Sequence, residues 1–355
     1  MGTYRLDRSF EWNFDNGPTY DNSFPSIPST TLKDYFGITT NSRIGIAASV
    51  LVNDKWIETY SRLGYDLLTY KTVRLIERDS FAFPNWVFVE REVSFDSEAK
   101  PKAFVKRAGS DLHALKLTGA GSFGMPSKAP EFWLEDIRRS RAKISNNQIL
   151  IVSIVATPKS DSSKQSIIEE YGILARMVIN AGAQVVEANL SCPNVRTGEG
   201  ELYADPEMVG KIAQHLRKSC GNIPVTMKMG YIYDDEILTP VMQNASGFVD
   251  GLVLMNGINS LVLNKDETPT FGQGRESCGI IGRGIQQVAL DYIKRAKDII
   301  LRHNLDLQII GNGGIISPDC AQKFFDVGAY AVSIASGAIF DPHLGIKIKM
   351  ANPKW

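Results

Sequence analysis

The chain has 355 residues, of which 43% are hydrophobic and 22% charged, and this composition is typical of a folded soluble protein with a large core. Lys plus Arg and Asp plus Glu each number 39, so there is no global basic field to hold nucleic acid or an anionic membrane. The length fits either two ordinary domains or one large α/β barrel.

Four cysteines are scattered along the chain without a CxxC pair: Cys192, Cys220, Cys278 and Cys320. This spacing argues against a zinc site, an iron–sulfur cluster or a disulfide framework, so we expect no metal and a reducing compartment. The N-terminal residues lack a basic stretch followed by an apolar core, and no apolar run approaches the ~20 residues needed to span a bilayer. We therefore expect a cytoplasmic protein.

The first segment, residues 1–42, is rich in Asn, Ser, Thr and Pro but also carries many aromatic residues. Among them are Tyr4, Phe10, Trp12, Phe14, Tyr20 and Phe24. A disordered tail would rarely keep so many aromatic side chains exposed. We predict an N-terminal arm that packs on the body of the protein or on a second subunit.

Beyond the arm, short apolar stretches alternate with segments of helical period and predict eight strands. These strands are residues 43–50, 65–72, 148–156, 183–190, 223–229, 250–256, 307–312 and 330–336. Near-continuous apolar strands that alternate with helices indicate a parallel sheet covered by helices. Eight such units favour one closed (β/α)8 TIM barrel over residues 43–355 rather than an open doubly wound sheet.

Two long interruptions separate the predicted strands, residues 73 to about 147 after the second strand and 256 to about 284 after the sixth. In a (β/α)8 barrel, the loops that follow the strands gather at the C-terminal mouth, where active sites are built. We expect both insertions to lie over that mouth.

Two glycine-bearing motifs, IIGNGGI at 309–315 and SIASGAI at 333–339, lie at the ends of the last two strands. Either motif alone could be an ordinary turn. On adjacent strands of a barrel, however, backbone amides freed by small residues form an anion site that commonly holds a phosphate. Together the motifs favour a phosphate-bearing cofactor.

Two lysines, Lys71 and Lys228, stand at the ends of otherwise apolar strands. One such lysine is most simply explained as reaching for water. Two of them at the same mouth favour a site that faces an anionic or electron-rich group.

Polar side chains and one thiol follow the fourth and sixth strands. They are Asn189, Cys192, Asn194, Asn256, Asn259 and Ser260. Each amide alone could cap or turn the chain, but amides also suit a heterocycle that presents carbonyl and N–H groups. Turn chemistry does not explain the thiol among them.

The motifs TYKT, GSFGMPS, NLSCPNV, VTMKM, INS and IIGNGGI, in this order, resemble the dihydroorotate dehydrogenase family of FMN-dependent (β/α)8 barrels. The resemblance runs from about residue 43 to 340, and NLSCPN is a specific signal. It implies FMN as the cofactor and the oxidation of a CH–CH bond in dihydroorotate, a related dihydropyrimidine or another cyclic amide.

The resemblance also implies roles for individual residues. Cys192 matches the catalytic base of the class 1 enzymes, Lys71 a lysine between flavin and substrate, and Lys228 a lysine beside the flavin N1/O2 edge. The implied cofactor-binding residues are Ala48, Ser49, Lys71, Asn189, Lys228, Gly282, Gly313, Gly314, Ala335 and Ser336. The implied substrate-binding residues are Lys71, Phe123, Gly124, Met125, Asn189, Asn194, Asn259 and Ser260.

The implied reaction takes a proton from the carbon next to a carbonyl and passes a hydride to flavin N5. A thiol with an ordinary pKa of about 8.5 can serve as the base if a nearby cation lowers that pKa, and Lys71 is the candidate cation. A cationic Lys228 would stabilise the anionic reduced flavin.

Several departures from the family pattern bear on the substrate. The family typically reads NSxGLPN where this chain reads GSFGMPS, so Gly121 and Ser127 replace two asparagines, and the first of these helps to hold the substrate carboxylate. The stretch IGRGIQQVAL replaces a Gly-Gly, Lys-Pro pattern, and residues 73–112 form a longer segment than the family needs.

Two alternatives stay open: an FMN barrel oxidoreductase that acts on a different ring, and a catalytically silent barrel that binds flavin as a partner subunit. Retention of Cys192 and Lys228 argues against the silent barrel. The arm lacks the hydrophobic helix pair of quinone-linked members, which favours a soluble electron acceptor. We expect a homodimer that binds a small dihydropyrimidine-like substrate and neither nucleic acid nor membrane.

Overall fold

The computed structural model describes residues 2–89, 102–104, 118–158, 162–191 and 202–355, with backbone only for 102–104. The strands within these ranges are β1 (Lys33–Tyr35), β2 (Ile38–Thr40), β3 (Ile44–Leu51), β4 (Leu67–Val73), β5 (Trp86–Val89), β6 (Lys102–Phe104), β7 (Thr118–Gly121), β8 (Ile149–Ile154), β9 (Val185–Asn189), β10 (Val225–Lys228), β11 (Gly251–Leu254), β12 (Ile258–Leu263), β13 (Ser277–Gly282), β14 (Gln308–Asn312) and β15 (Ala331–Ile334). The helices are α1 (Phe10–Asn16), α2 (Asp54–Arg62), α3 (Pro130–Lys143), α4 (Lys164–Ala181), α5 (Pro206–Cys220), α6 (Asp235–Ala245), α7 (Gln286–His303), α8 (Pro318–Asp326), α9 (Ser336–Phe340) and α10 (Leu344–Ala351).

Eight parallel strands close into a barrel in chain order: β3, β4, β8, β9, β10, β11, β14 and β15, with β15 returning to β3. Each lies within or overlaps one of the eight predicted segments, so the (β/α)8 fold is confirmed. The strand β8 is buried at every position, because one face packs inside the barrel and the other lies under helices. This double burial explains why the strands are apolar without alternation.

The helix α3 is an element that the periodicity of the sequence does not reveal. It begins with Pro130 in its first turn, a position where proline costs no hydrogen bond. Its buried stripe is narrow and includes the polar residues Asp136 and Ser140 beside Trp133 and Ile137. Much of the interruption after the second barrel strand is therefore the barrel's own helix.

The two insertions together build one five-stranded sheet with the strand order β5, β7, β13, β12, β6, which we call the mouth sheet. One row of directly paired residues crosses it: Trp86, Gly121, Gly279 and Asn259. The predicted position over the C-terminal mouth is confirmed for the described parts of both insertions, because Trp86, Gly121 and Gly279 line a cavity there together with barrel strand ends.

Arg275 ties the two insertions to each other. Its guanidinium donates hydrogen bonds to the carbonyl oxygens of Ala82 at 2.7 Å, Pro84 at 2.9 Å and Ser122 at 2.7 Å. It also lies 5.1 Å from the ring centroid of Phe81. These bonds hold the mouth sheet closed around the edge of the cavity.

The N-terminal residues contact both ends of the barrel. Near the mouth, the ring of Tyr4 lies 5.7 Å from that of Trp56 on α2, and Thr3 Oγ1 lies 2.6 Å from the hydroxyl of Tyr60. At the opposite end, Tyr35 of the β1–β2 hairpin is buried against apolar residues at the starts of the barrel strands. The division of the chain at residue 42 stays a prediction.

Among the described residues, no helix combines the length and apolar character needed to cross a membrane.

Candidate active site at the mouth of the barrel

A cavity of about 1300 Å³, counting its opening to solvent, lies at the C-terminal ends of the barrel strands. Its lining includes all ten residues predicted to bind a cofactor: Ala48, Ser49, Lys71, Asn189, Lys228, Gly282, Gly313, Gly314, Ala335 and Ser336.

The loop after β14 presents bare backbone to this cavity. Gly313 and Gly314 have φ angles of +135° and +73°, which L-residues with side chains rarely adopt. A Cβ atom on Gly314 would lie 2.8 Å from the carbonyl oxygen of Gly282, and one on Gly313 would lie 2.8 Å from Cβ of Ala289. Only glycine fits at either position, so the backbone is left uncovered for an anionic group.

Lys228 ends β10 and lies in the cavity wall with only 4% of its surface exposed. Burial lowers the pKa of its ammonium group, and the negative charge of Glu187 partly restores it. A buried cation at a ligand cavity suits an electron-rich partner.

Lys71 lines the same cavity and also a second one beside it, and both cavities include Phe10 and Thr72. The ammonium nitrogen of Lys71 lies 5.5 Å from the ring centroid of Phe10 on α1. This distance suits a cation–π contact, which fixes Lys71 beside the arm.

The turn after β9 is anchored by two asparagines. The side-chain oxygen of Asn189 accepts a hydrogen bond from the backbone N–H of Ser191 at 3.1 Å. The amide nitrogen of Asn256 donates to the carbonyl oxygen of Ser191 at 2.7 Å. Cys192 and Asn194, the predicted base and a predicted ring contact, lie outside the described residues.

The structure brings only some of the predicted substrate residues into the cavity. Phe123 and Met125 line it, whereas Gly124 packs against the ring of Phe81, so closely that a Cβ atom would lie 2.8 Å away. Neither Asn259 nor Ser260 is among the cavity-lining residues. Asn259 pairs with Gly279, which does line the cavity, and because side chains alternate along β12, Ser260 lies on the opposite side.

The side chain of Asn259 gives separate evidence for a ligand. Its side-chain oxygen is buried and has no hydrogen-bond partner within the described part of the chain. Buried polar atoms are nearly always satisfied, so an unpaired amide oxygen on the strand position paired with the cavity-lining Gly279 is suited to a ligand donor.

Three aromatic residues of the cavity wall were not among the predicted site residues: Tyr4, Phe10 and Trp86. The hydroxyl of Tyr4 and the indole nitrogen of Trp86 are buried and lack partners among the described residues. Burial also raises the pKa of Tyr4. The aromatic content of the arm was a usable signal for Tyr4 and Phe10, whereas nothing in the sequence marks Trp86.

Arg74 is a further residue that the sequence does not reveal. It is fully buried directly after β4, and its guanidinium donates to the carbonyl oxygen of Met125 at 3.3 Å and of Ala156 at 3.2 Å. Met125 has a φ of +52°, which is unfavourable for a residue with a side chain. Arg74 therefore stabilises the conformation in which Met125 faces the cavity.

The two positions that depart from the family pattern differ in location. Gly121 lines the cavity, and a Cβ atom there would make an ordinary contact of 3.4 Å with Phe123. Ser127 lines only the second cavity, and its hydroxyl accepts a hydrogen bond from the backbone N–H of Arg74 at 3.1 Å. Of the two, Gly121 is the one placed to affect a ligand in the mouth cavity.

The fold and the cavity define a (β/α)8 barrel enzyme with its site at the strand ends. A family model described as dihydroorotate dehydrogenase matches residues 115–350. The chain is 33% identical to a dihydroorotate dehydrogenase of Dictyostelium discoideum over 365 aligned residues, which cover 97% of this chain and 95% of that protein. The chain belongs to the dihydroorotate dehydrogenase family, as its motifs predicted, and is an oxidoreductase that acts on a CH–CH bond. Enzymes of this family are flavoproteins.

Bacterial relatives match over a shorter span. The catalytic subunit of dihydroorotate dehydrogenase B (NAD(+)) from Maridesulfovibrio salexigens is 29% identical over 52% of this chain and 59% of its own length. Dihydroorotate dehydrogenase A (fumarate) from Limosilactobacillus reuteri is 29% identical over 49% of this chain and 54% of its own length.

Proposed function

We propose that this protein is an FMN-dependent dehydrogenase that oxidises dihydroorotate or a related dihydropyrimidine at a CH–CH bond. The main observation behind the proposal is the cavity. The backbone of Gly313 and Gly314, the buried Lys228 and residues of β3 and β15 all line it. The oxidation of a saturated ring carbon needs a hydride acceptor, which amino-acid side chains do not supply.

The residues present fit FMN. The backbone of Gly313 and Gly314, with Ala335 and Ser336 on the neighbouring strand end, would hold the phosphate. Lys228 would lie beside the N1/O2 edge, and Ala48 and Ser49 would support the ring system. Bound FMN would supply the hydride acceptor at N5.

The substrate would be held and deprotonated by this chain's own residues. Asn189, Asn194 and Asn259 offer amide groups that match the carbonyl and N–H groups of a dihydropyrimidine. Cys192 would take the proton from the ring carbon next to a carbonyl onto its sulfur. Lys71 would lower the pKa of that thiol and attract an anionic substituent.

The electron acceptor for this chain is proposed to be soluble. The names of the two bacterial relatives specify different acceptors, NAD(+) for one and fumarate for the other. A homodimer is also part of the proposal. Two functions compete with this proposal: oxidation of a different ring substrate, and flavin binding by a subunit without activity.

We expect purified protein to contain FMN and no adenine-bearing flavin, because Gly313–Gly314 and Ala335–Ser336 form one phosphate site and no second dinucleotide motif is present. Denaturing the protein and separating the released cofactor by chromatography tests this. FAD or a nicotinamide nucleotide in stoichiometric amount would contradict the proposal.

We expect Gly121→Asn to raise kcat/KM for dihydroorotate, because the added amide supplies a hydrogen bond to the substrate carboxylate that this chain lacks. A hydrogen bond to a charged group contributes about 1.5–3 kcal/mol, which corresponds to roughly ten- to two-hundred-fold in binding. The native protein should then prefer a ring with a different or bulkier substituent. Steady-state kinetics on dihydroorotate measures the effect.

The matched control is Gly121→Ala, which adds only the Cβ atom at its ordinary 3.4 Å contact with Phe123. Alanine should not improve the reaction. High native activity on dihydroorotate that Gly121→Asn reduces would show that the glycine is a neutral variation in an ordinary dihydroorotate dehydrogenase.

A further inference from the structure

Glu187 is a buried carboxylate to which the proposed reaction assigns no role. It lies on β9 with 4% of its surface exposed and lines a small space inside the barrel, beneath the mouth cavity. Its oxygen Oε1 has no hydrogen-bond partner among the residues that the structure describes. Burying a carboxylate is costly unless a cation compensates its charge, so its place in the barrel calls for a partner.

Lys228 is placed to be that partner. Glu187 pairs directly with Thr226 on β10, and Lys228 follows Thr226 by two residues. Residues two apart on a strand point the same way, so Glu187 and Lys228 both face the barrel interior as diagonal neighbours. Diagonal neighbours on adjacent strands are within reach of long side chains.

The charges of Glu187 and Lys228 each reduce the free-energy cost of burying the other. Burial raises the pKa of Glu187, while Lys228 and the hydroxyl of Ser153 lower it. Burial lowers the pKa of Lys228, while Glu187 raises it. Without its carboxylate partner, a lysine this buried would tend to lose its proton rather than remain as an uncompensated cation.

Two hydroxyl groups lie between the carboxylate and the cavity wall. Ser153 on β8 pairs directly with Glu187, and its hydroxyl lowers the pKa of the Glu187 carboxyl. The hydroxyl of Ser153 lies 2.9 Å from that of Thr72, which lines the mouth cavity. Glu187 thus lies between two residues of the cavity wall, Lys228 on one side and, beyond Ser153, Thr72 on the other.

We propose that Glu187 is a positioning residue that keeps Lys228 protonated and so sets the positive charge at the cavity wall. In the FMN-bound protein, that charge would favour negative charge on the N1/O2 edge of the flavin. The inference rests on the proposed function, because it requires FMN in this cavity.

Sulfite binding to the oxidised flavin tests the inference without turnover. Sulfite adds through its lone pair to flavin N5, and the displaced electron pair leaves negative charge at N1/O2, so a nearby cation tightens binding. We expect Glu187→Gln to raise the sulfite dissociation constant about tenfold, equivalent to about one pKa unit. Lys228→Met should act in the same direction, and the double variant should be no weaker than Lys228→Met alone.

Two further variants serve as a control and as a substitute for Glu187→Gln. Thr226→Val is the matched control, because it changes a buried polar group of the same layer without changing charge, and it should leave sulfite affinity unaltered. Should Glu187→Gln fail to fold, Ser153→Ala removes the hydroxyl that stabilises the ionised carboxylate and should weaken sulfite binding by a smaller factor.

The outcomes separate this inference from the proposed function. A native protein that binds no FMN would overturn both. The role of Glu187 alone would be overturned if Glu187→Gln holds as much FMN as the native protein and binds sulfite equally well or more tightly. The same holds for Ser153→Ala if that variant is the one tested.

Discussion

Replacing Cys192 with alanine is expected to slow reduction of the bound flavin by substrate about 10²–10⁴-fold, because the substitution removes only the group that accepts the proton. Flavin binding should persist, since the cofactor contacts proposed above do not involve this side chain. Cys192→Ser should keep some activity that rises with pH, because a hydroxyl is a far poorer base than a thiol. Anaerobic stopped-flow measurement of flavin bleaching gives the rate.

Cys220→Ala is the matched control for this prediction. Cys220 is buried at the end of α5, and burial raises its pKa to about 11, so it is a poor proton acceptor at neutral pH. Its loss should leave the reduction rate within a few-fold of native. If Cys192→Ala reduces its flavin at the native rate, the base lies elsewhere and the role of EANLSCPNV as an acid–base loop is wrong.

Lys349→Met is expected to lower the free energy of unfolding by about 3–5 kcal/mol, because it leaves a buried carboxylate without its counter-ion. Lys349 on α10 and Asp66 before β4 are each 1% exposed, and their charged atoms lie 2.6 Å apart. Asp66 would keep its hydrogen bonds from Ser42 and Asn41 but not its cation. Urea denaturation at equal flavin saturation measures the loss.

The same helix provides the control for Lys349. Lys347 pairs with Asp341 at 2.5 Å but is 53% exposed, so Lys347→Met should cost about 1 kcal/mol or less. Equal losses in the two variants would show that the buried pair contributes no more than an exposed one.

The pH dependence of Lys349→Met follows from Asp66. Burial already raises the pKa of Asp66 above its ordinary value of 3.8, and loss of Lys349 should raise it further. A carboxyl whose folded pKa exceeds its unfolded pKa destabilises the fold as pH rises from the unfolded value to the folded value, and the loss is complete above the folded value. The deficit of the variant should therefore be largest at neutral pH and shrink as the solution is acidified below the raised pKa.

The barrel is predictable because its determinants are local. A strand such as Ile149–Ile154, buried on both sides, needs an apolar residue at nearly every position, and this is visible in a single stretch of sequence. The Gly313–Gly314 loop is visible for a similar reason, since its backbone angles exclude other residues.

The closure of the site depends on contacts between distant segments and could not be predicted. Gly121 pairs with Gly279 across more than 150 residues of sequence, and Arg275 reaches Pro84 across 191 residues. In each pair, the sequence around one residue gives no indication of the other. The place of Trp86 in the cavity wall depends on its pairing with Gly121, so no pattern in its own segment reveals it.

The role inferred for Glu187 could not be predicted from the sequence for the same reason, because it depends on a contact between two strands. Within VVEAN it reads as one charged residue in an apolar strand, and only the register against Thr226 places it diagonal to Lys228. The position of a charge in a strand is visible in sequence, but its partner on the next strand is not.

The decisive experiment is to add dihydroorotate and related dihydropyrimidines anaerobically to the purified protein and to record its visible absorption spectrum. We expect a yellow protein whose flavin bleaches with at least one of these rings, and whose colour returns when a soluble electron acceptor is added. A yellow protein that no dihydropyrimidine bleaches would favour a different ring substrate or a subunit without activity. A colourless protein that takes up no flavin would contradict the proposed function altogether.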